Sequence, residues 1–201
     1  MSNSILVLGT RNRKKRDELV ELLDLPRLEL WTLDAFESVP EIKEDGATFF
    51  ENATKKAVGL ARALGHFVLG EDSGLVVDAL DGRPGVYSAR FAGEPCDDQR
   101  NNDFLLAQLA GVPAAGRSAH YVCIAVVSDP SGLVRARAEG RCDGHIAERC
   151  RGTNGFGYDP LFIVNGLEQT FGELPPEVKR RRSHRARAIE LLRPQLVELF
   201  T

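Results

Sequence analysis

The chain has 201 residues, 43% of them hydrophobic and 27% charged, with 26 basic against 29 acidic side chains and a formal net charge of −3. These proportions belong to a globular domain with room for a real core, and the negative balance excludes a general polyanion binder. MSNSILVLGT lacks the marks of a signal peptide, no apolar run reaches the roughly 20 residues that span a bilayer, and four cysteines without CxxC spacing are expected as reduced thiols of a cytoplasmic protein.

Ile5 to Leu8 is a short strand of buried type, ended by Gly9. A helix follows from about Lys14 to Leu23, with Leu19, Leu22 and Leu23 on one face and Pro26 closing it. The tight turn between them, LVLGTRNRKKRDEL, exposes backbone N–H groups at the positive end of a helix, a place that suits phosphate. Thr10 and Asn12 supply neutral hydrogen bonds there and Lys15 a point charge; the alternative is an N-cap before a solvated basic helix. GxxxxGK[ST] is absent, so this is no Walker A loop.

Leu28 to Leu33 alternates like a half-buried strand, and residues 40–46 form an acidic loop containing Glu44. Thr48 and Glu51 make a capping box. The helix they open aligns Ala53, Ala57, Leu60, Ala61 and Leu64 in one stripe, and Gly65 ends it. Phe67 to Leu69 and Leu75 to Val77 are expected as strands flanking the adjacent acids Glu71 and Asp72. If the strand ends at Glu71, the turn at Ser73-Gly74 swings both carboxylates to one side, where they suit a hard cation, which keeps water for a phosphate ligand, and where a carboxylate can orient or deprotonate water. Otherwise they simply face solvent.

Residues 81–85 form a Gly/Pro turn, residues 97–109 a helix, and Ala119 to Val127 with Leu133 to Ala138 a hairpin turning at 129–132. GTNGFGYDPLF resembles a dinucleotide loop only superficially, because Asp159-Pro160 follows where a helix would be needed. Phe156, flanked by glycines, is either an exposed ring able to stack on a base or a core residue. KRRRSHRAR at 179–187 carries six cations in nine residues, a solvated face or a nucleic-acid patch. The last helix runs from about His184 to Phe200 and is expected to kink or break at Pro194. Helices and strands alternate early and hairpins come later, which predicts an α/β fold: a mixed β-sheet flanked by helices, without repeats, in one domain over residues 1–201.

Taken in order, these stretches resemble the inosine triphosphate pyrophosphatase family, also called the non-standard purine nucleoside triphosphatase or Ham1-like family. Thr10-x-Asn12-x-x-Lys15 is similar to its [ST]xNxxK signature, TFFENATKKA to its TFxENAxxKA helix, EDSGLVVDALDGRPGVYSARFAG to its longest motif, and GFGYDPLF and ELPPEVKRRRSHRARAI to its C-terminal motifs. The resemblance implies Mg²⁺-dependent hydrolysis of ITP, dITP and XTP to monophosphate and pyrophosphate. It also implies a homodimer and an elongated fold of two lobes around a central nucleotide-binding cleft. By motif position Asp72 is the catalytic base, and Glu44 and Asp72 hold the metal with Glu71 in support. Lys15, Lys56, Thr10 and Asn12 hold the triphosphate, and Ser73 touches substrate. Phe156 stacks on the base, and Gly157, Tyr158, Asp159, Lys179, His184 and Arg185 complete the nucleotide pocket. Two rival expectations are a pyrophosphatase for another altered nucleotide and a nucleic-acid-binding module built on the 179–187 run with Phe156 and Tyr158 as stacking rings; the carboxylate pair and the net charge speak against nucleic acid as partner.

Overall fold

The computed structural model describes residues 4–25 and 28–200, so the expected stop at Pro26 lies outside the described residues. The fold is mixed α/β. Six strands, β1 (Ser4–Leu8), β2 (Leu28–Thr32), β3 (Phe67–Val77), β4 (Ser118–Ser128), β5 (Val134–Ile146) and β6 (Phe162–Val164), form one sheet in the order β2-β1-β3-β4-β5-β6. β1 pairs in parallel with β2 and β3, whereas β5 and β6 are antiparallel. The helices are α1 (Arg13–Leu22), α2 (Phe49–Leu64), α3 (Asp98–Gln108), α4 (Pro176–Arg182) and α5 (His184–Phe200).

The chain divides into two compact units. The first comprises Met1–Asp72, Cys123–Gly140 and Arg185–Thr201; the second comprises Ser73–Val122 and Arg141–His184. In the first unit the period-2 alternation of the strands sorts side chains into two cores. Leu6, Leu8 and Leu69 pack with Leu19 of α1, with Leu23 at its C-cap and with Ile189, Leu192 and Leu196 of α5. Val7 and Val68 pack with Leu60 and Ala61 of α2. The second unit has its own core, built on Leu75, Val77, Leu105, Tyr121, Phe162 and Phe171.

Local signals place the helices well. Asn12 caps α1, accepting from Lys15 N–H at 3.1 Å. Thr48 caps α2 through Glu51 N–H at 3.1 Å, Glu51 reaches back to Ala47 N–H at 2.7 Å, and Gly65 closes the helix in the left-handed conformation. The β4–β5 turn is tied by Asp129, whose carboxylate accepts from the Ser131 and Leu133 N–H groups and from the Ser131 hydroxyl.

Three expectations change. β3 does not stop at the acidic pair but runs through it from Phe67 to Val77. β5 extends well beyond Ala138, to Ile146. The last helix, α5, begins at His184 as expected, with Ser183 extended after α4 ends at Arg182. Finally, α5 continues unbroken through Pro194.

Candidate active site

β3 explains the paired acids of the first unit. Leu69 belongs to the α1/α5 core and Val68 to the α2 core. Counting on in steps of two, Glu71 follows Leu69, and Gly70 and Asp72 follow Val68. The contacts agree. Glu71, 1% exposed, meets Arg185 of α5 at 3.0 Å, Lys15 of α1 at 3.6 Å and the Cys123 thiol at 3.5 Å. Asp72, 8% exposed, accepts from Asn52 Nδ2 of α2 at 3.1 Å. The carboxylates therefore do not point to one side; each has its own surroundings. Their side-by-side repulsion is met by Arg185 and Lys15 around Glu71 and by Asn52 and the field of Lys15 and Lys56 around Asp72.

Gly70 makes this arrangement possible. A Cβ there would lie 2.5 Å from the Ala53 carbonyl oxygen and 2.6 Å from the Ala57 N–H nitrogen, so β3 runs directly against the α2 backbone. That closeness brings Asn52 to Asp72. Asn52 is itself oriented, its Oδ1 accepting from Gly46 N–H at 2.7 Å. Lys56, one turn further along α2, donates to the Glu71 carbonyl oxygen at 3.0 Å and pairs with Glu44 at 2.8 Å. Burial raises the Asp72 carboxyl above the usual carboxylate value of 3.8; Lys15, Lys56 and the Asn52 hydrogen bond pull it down, and Glu44 pushes it up.

Arg185, expected with His184 in the nucleotide pocket, has its guanidinium against Glu71 and Glu18 in the first unit. Burial opposes its charge, but those two carboxylates more than offset that and hold it protonated, above its ordinary value. Thr10 is buried at the turn into α1, where its hydroxyl accepts from Asn12 N–H at 3.2 Å.

The second unit gathers the other expected residues. Lys179 Nζ pairs with Asp159 Oδ2 at 2.6 Å and sits 4.3 Å from the centroid of the half-buried Phe156 ring. The same Asp159 oxygen accepts from Phe156 N–H at 2.8 Å. Tyr121 stacks on His184 with centroids 4.6 Å apart and an interplanar angle of 11°, and its hydroxyl reaches Asp159 Oδ1 at 3.5 Å. Tyr158 is a core residue; its hydroxyl donates to the Ser88 carbonyl at 2.8 Å, and burial, then Asp98, raises its pKa. Ser73 is half-buried in β3.

Sequence reasoning missed Asn52, Glu18, Cys123 and Tyr121. Only Asn52 left a signal: a polar residue next to the Ala53–Ala57 stripe of an amphipathic helix, where apolar neighbours are the norm.

Among the described residues no three His, Cys, Asp or Glu side chains are gathered as a closed metal site. An open site of one or two carboxylates completed by substrate phosphates needs no such group. Asp72 and Glu44 fit that description: both are hard oxygen donors, and the Glu44 charge is felt at Asp72.

A phosphate-suited helix start, buried carboxylates and lysines on one α/β unit, with a cation-backed aromatic loop on the other, define a nucleotide-handling class of protein. The model of the Ham1 family matches residues 6–195, and the chain belongs to that family. It is 50% identical to a dITP/XTP pyrophosphatase of Rhodopirellula baltica over 96% of this chain and 93% of the relative. It is 48% identical to a dITP/XTP pyrophosphatase of Desulforamulus reducens over 92% of each chain. Among solved structures, a HAM1 protein from Coxiella burnetii superposes with a TM-score of 0.88 at 38% identity, covering 97% of this chain and 99% of the other.

Proposed function

We propose that the protein hydrolyses non-standard purine nucleoside triphosphates, ITP, dITP and XTP, to the monophosphate and pyrophosphate, clearing them from the nucleotide pool as a cytoplasmic homodimer. The names of the relatives support the reaction. The observation that carries it is Asp72: a carboxylate raised by burial, fixed by Asn52 and flanked by Lys15 and Lys56. Such a group is suited to take a proton from water near neutral pH.

In this reading Asp72 accepts a proton from water as the hydroxide oxygen bonds to the α-phosphorus. The bond from that phosphorus to the bridging oxygen breaks, and pyrophosphate leaves with the electron pair. Lys15 and Lys56 meet the charge of the departing pyrophosphate, and the positive end of α1 favours a phosphate oxygen. Asp72 and Glu44 are the residues that would hold Mg²⁺, with Glu71 supporting through Lys15 and the Lys56 contact to its backbone. Bound there, the ion neutralises charge on the phosphates. In the second unit Phe156 stacks on the base and His184 donates to the 6-keto oxygen. Adenine, with an amino group at that position, leaves the donor unpaired and is rejected.

A panel of triphosphates with product analysis tests this. ITP, dITP and XTP should give monophosphate and pyrophosphate in equal amounts, with kcat/KM far above that for ATP. Activity should vanish in EDTA and return with Mg²⁺. Orthophosphate as the first product, or equal values for ITP and ATP, would reject the assignment.

A further inference from the structure

Two hydrogen bonds from α3 converge on one residue, Gly157, next to Phe156. Asp98 and Asn102 stand four residues apart on α3, hence on one helix face. Gly157 N–H donates to Asp98 Oδ2 at 2.9 Å, and Asn102 Nδ2 donates to the Gly157 carbonyl at 3.0 Å. Both peptide groups of one residue are thus gripped by one helix. Gly157 has φ +59°, a conformation that side chains disfavour, while a Cβ would meet nothing within 4 Å. Backbone conformation, not space, therefore accounts for the glycine. Its neighbour Phe156 is held at its own N–H by Asp159 and at its ring by Lys179. Of these anchors, Asp159 and Lys179 belong to the expected nucleotide pocket; the grip from α3 has no assigned role.

We propose that Asp98 and Asn102 are positioning residues for base recognition: by clamping Gly157 they fix the orientation of the Phe156 ring before substrate arrives. The role rests on Phe156 being the base platform proposed above. A ring ordered in advance loses less freedom on binding, so the clamp acts on affinity and leaves the chemical step alone. Asp98 is exposed, so replacing it leaves the core of the unit intact.

The test compares kcat, KM and melting temperature with ITP for wild type, Asp98→Ala, Asp98→Asn, Asn102→Asp, Phe156→Ala and the Asp98→Ala/Phe156→Ala double variant. Asp98→Ala should raise KM roughly tenfold, the scale of one lost hydrogen bond to a charged group, with kcat within about twofold. Asp98→Asn, which keeps an acceptor for Gly157 N–H, should restore KM. Asn102→Asp, which turns a donor into an acceptor facing the Gly157 carbonyl, should behave like Asp98→Ala. In the Phe156→Ala background, Asp98→Ala should add nothing, because the ring it orients is gone. If Phe156→Ala raises KM but Asp98→Ala does not, or raises it equally in both backgrounds, the clamp is overturned and the base platform stands. An unchanged KM in Phe156→Ala overturns both.

Discussion

In the role proposed for it, Asp72 is where chemistry and the stability of the first unit pull in opposite directions. Burial holds its folded-state pKa above the unfolded value of 3.8. Between those two values the folded protein binds more protons than the unfolded chain, so stability falls as pH rises through that window, and the ionised carboxylate is a net burden at neutral pH. Asp72→Asn should therefore raise the metal-free melting temperature at pH 7 while lowering kcat by about 10²-fold or more, the scale of a lost general base. The wild-type acid limb of kcat/KM should lie above 3.8. A melting temperature that falls, or turnover within about twofold of wild type, would remove Asp72 from this role. Arg185 is the opposite case. It is 1% exposed, as is its partner Glu71, so Arg185→Ala leaves a buried carboxylate with only the longer Lys15 pair and should destabilise the protein by about 2–4 kcal/mol in chemical denaturation. A loss under about 1 kcal/mol would mean that water reaches Glu71. The charged site residues were legible as types in sequence order. Their partners were not, because Glu71 meets Arg185 across 114 residues of chain and Asp72 meets Asn52 across 20.

At the level of elements, the caps of α1 and α2 were legible because they are local: Asn12 and Thr48 each bond within three residues. β3 was harder. Gly70 and Ser73-Gly74 look like punctuation, but Gly70 is there because the α2 backbone occupies the space that a side chain would need. Gly70→Ala should lower stability by about 1–3 kcal/mol through overpacking, and should lower turnover as well, because Asp72 lies two residues along the same strand. A melting temperature unchanged from wild type would show that α2 can move away. α5 continues past Pro194 for a tertiary reason. Arg193 donates to the Leu22 and Asp24 carbonyls, and Gln195 clasps both backbone groups of Arg137, so the helix is tied down on either side of the proline. A proline rule applied to the sequence alone has no access to those bonds.

For the molecule as a whole, the basic run loses its apparent unity once folded. Lys179 is buried against Asp159, and Arg185 against Glu71 and Glu18, while Arg180, Arg181, Arg182 and Arg187 stay exposed and Arg180 pairs with Glu177. With a net charge of −3 around that remainder, RNA should bind no better than the roughly 10⁻⁴–10⁻⁶ M of non-specific contacts at physiological salt. Nanomolar binding that weakens steeply with salt would revive a nucleic-acid role. Fold class was legible because hydrophobic period reports it directly. Among the described residues, no helix is long and apolar enough to cross a membrane.

The glycine under α2 also works as a gauge during assembly. A strand paired one residue out of step would exchange its faces, offering Leu69 or Glu71 to a slot that admits only a hydrogen atom. Such a mispaired chain cannot close against the helix. Which of two chemically similar acids faces α2 and Asn52 is thus decided by the size of a third residue, Gly70, acting as a steric key for register.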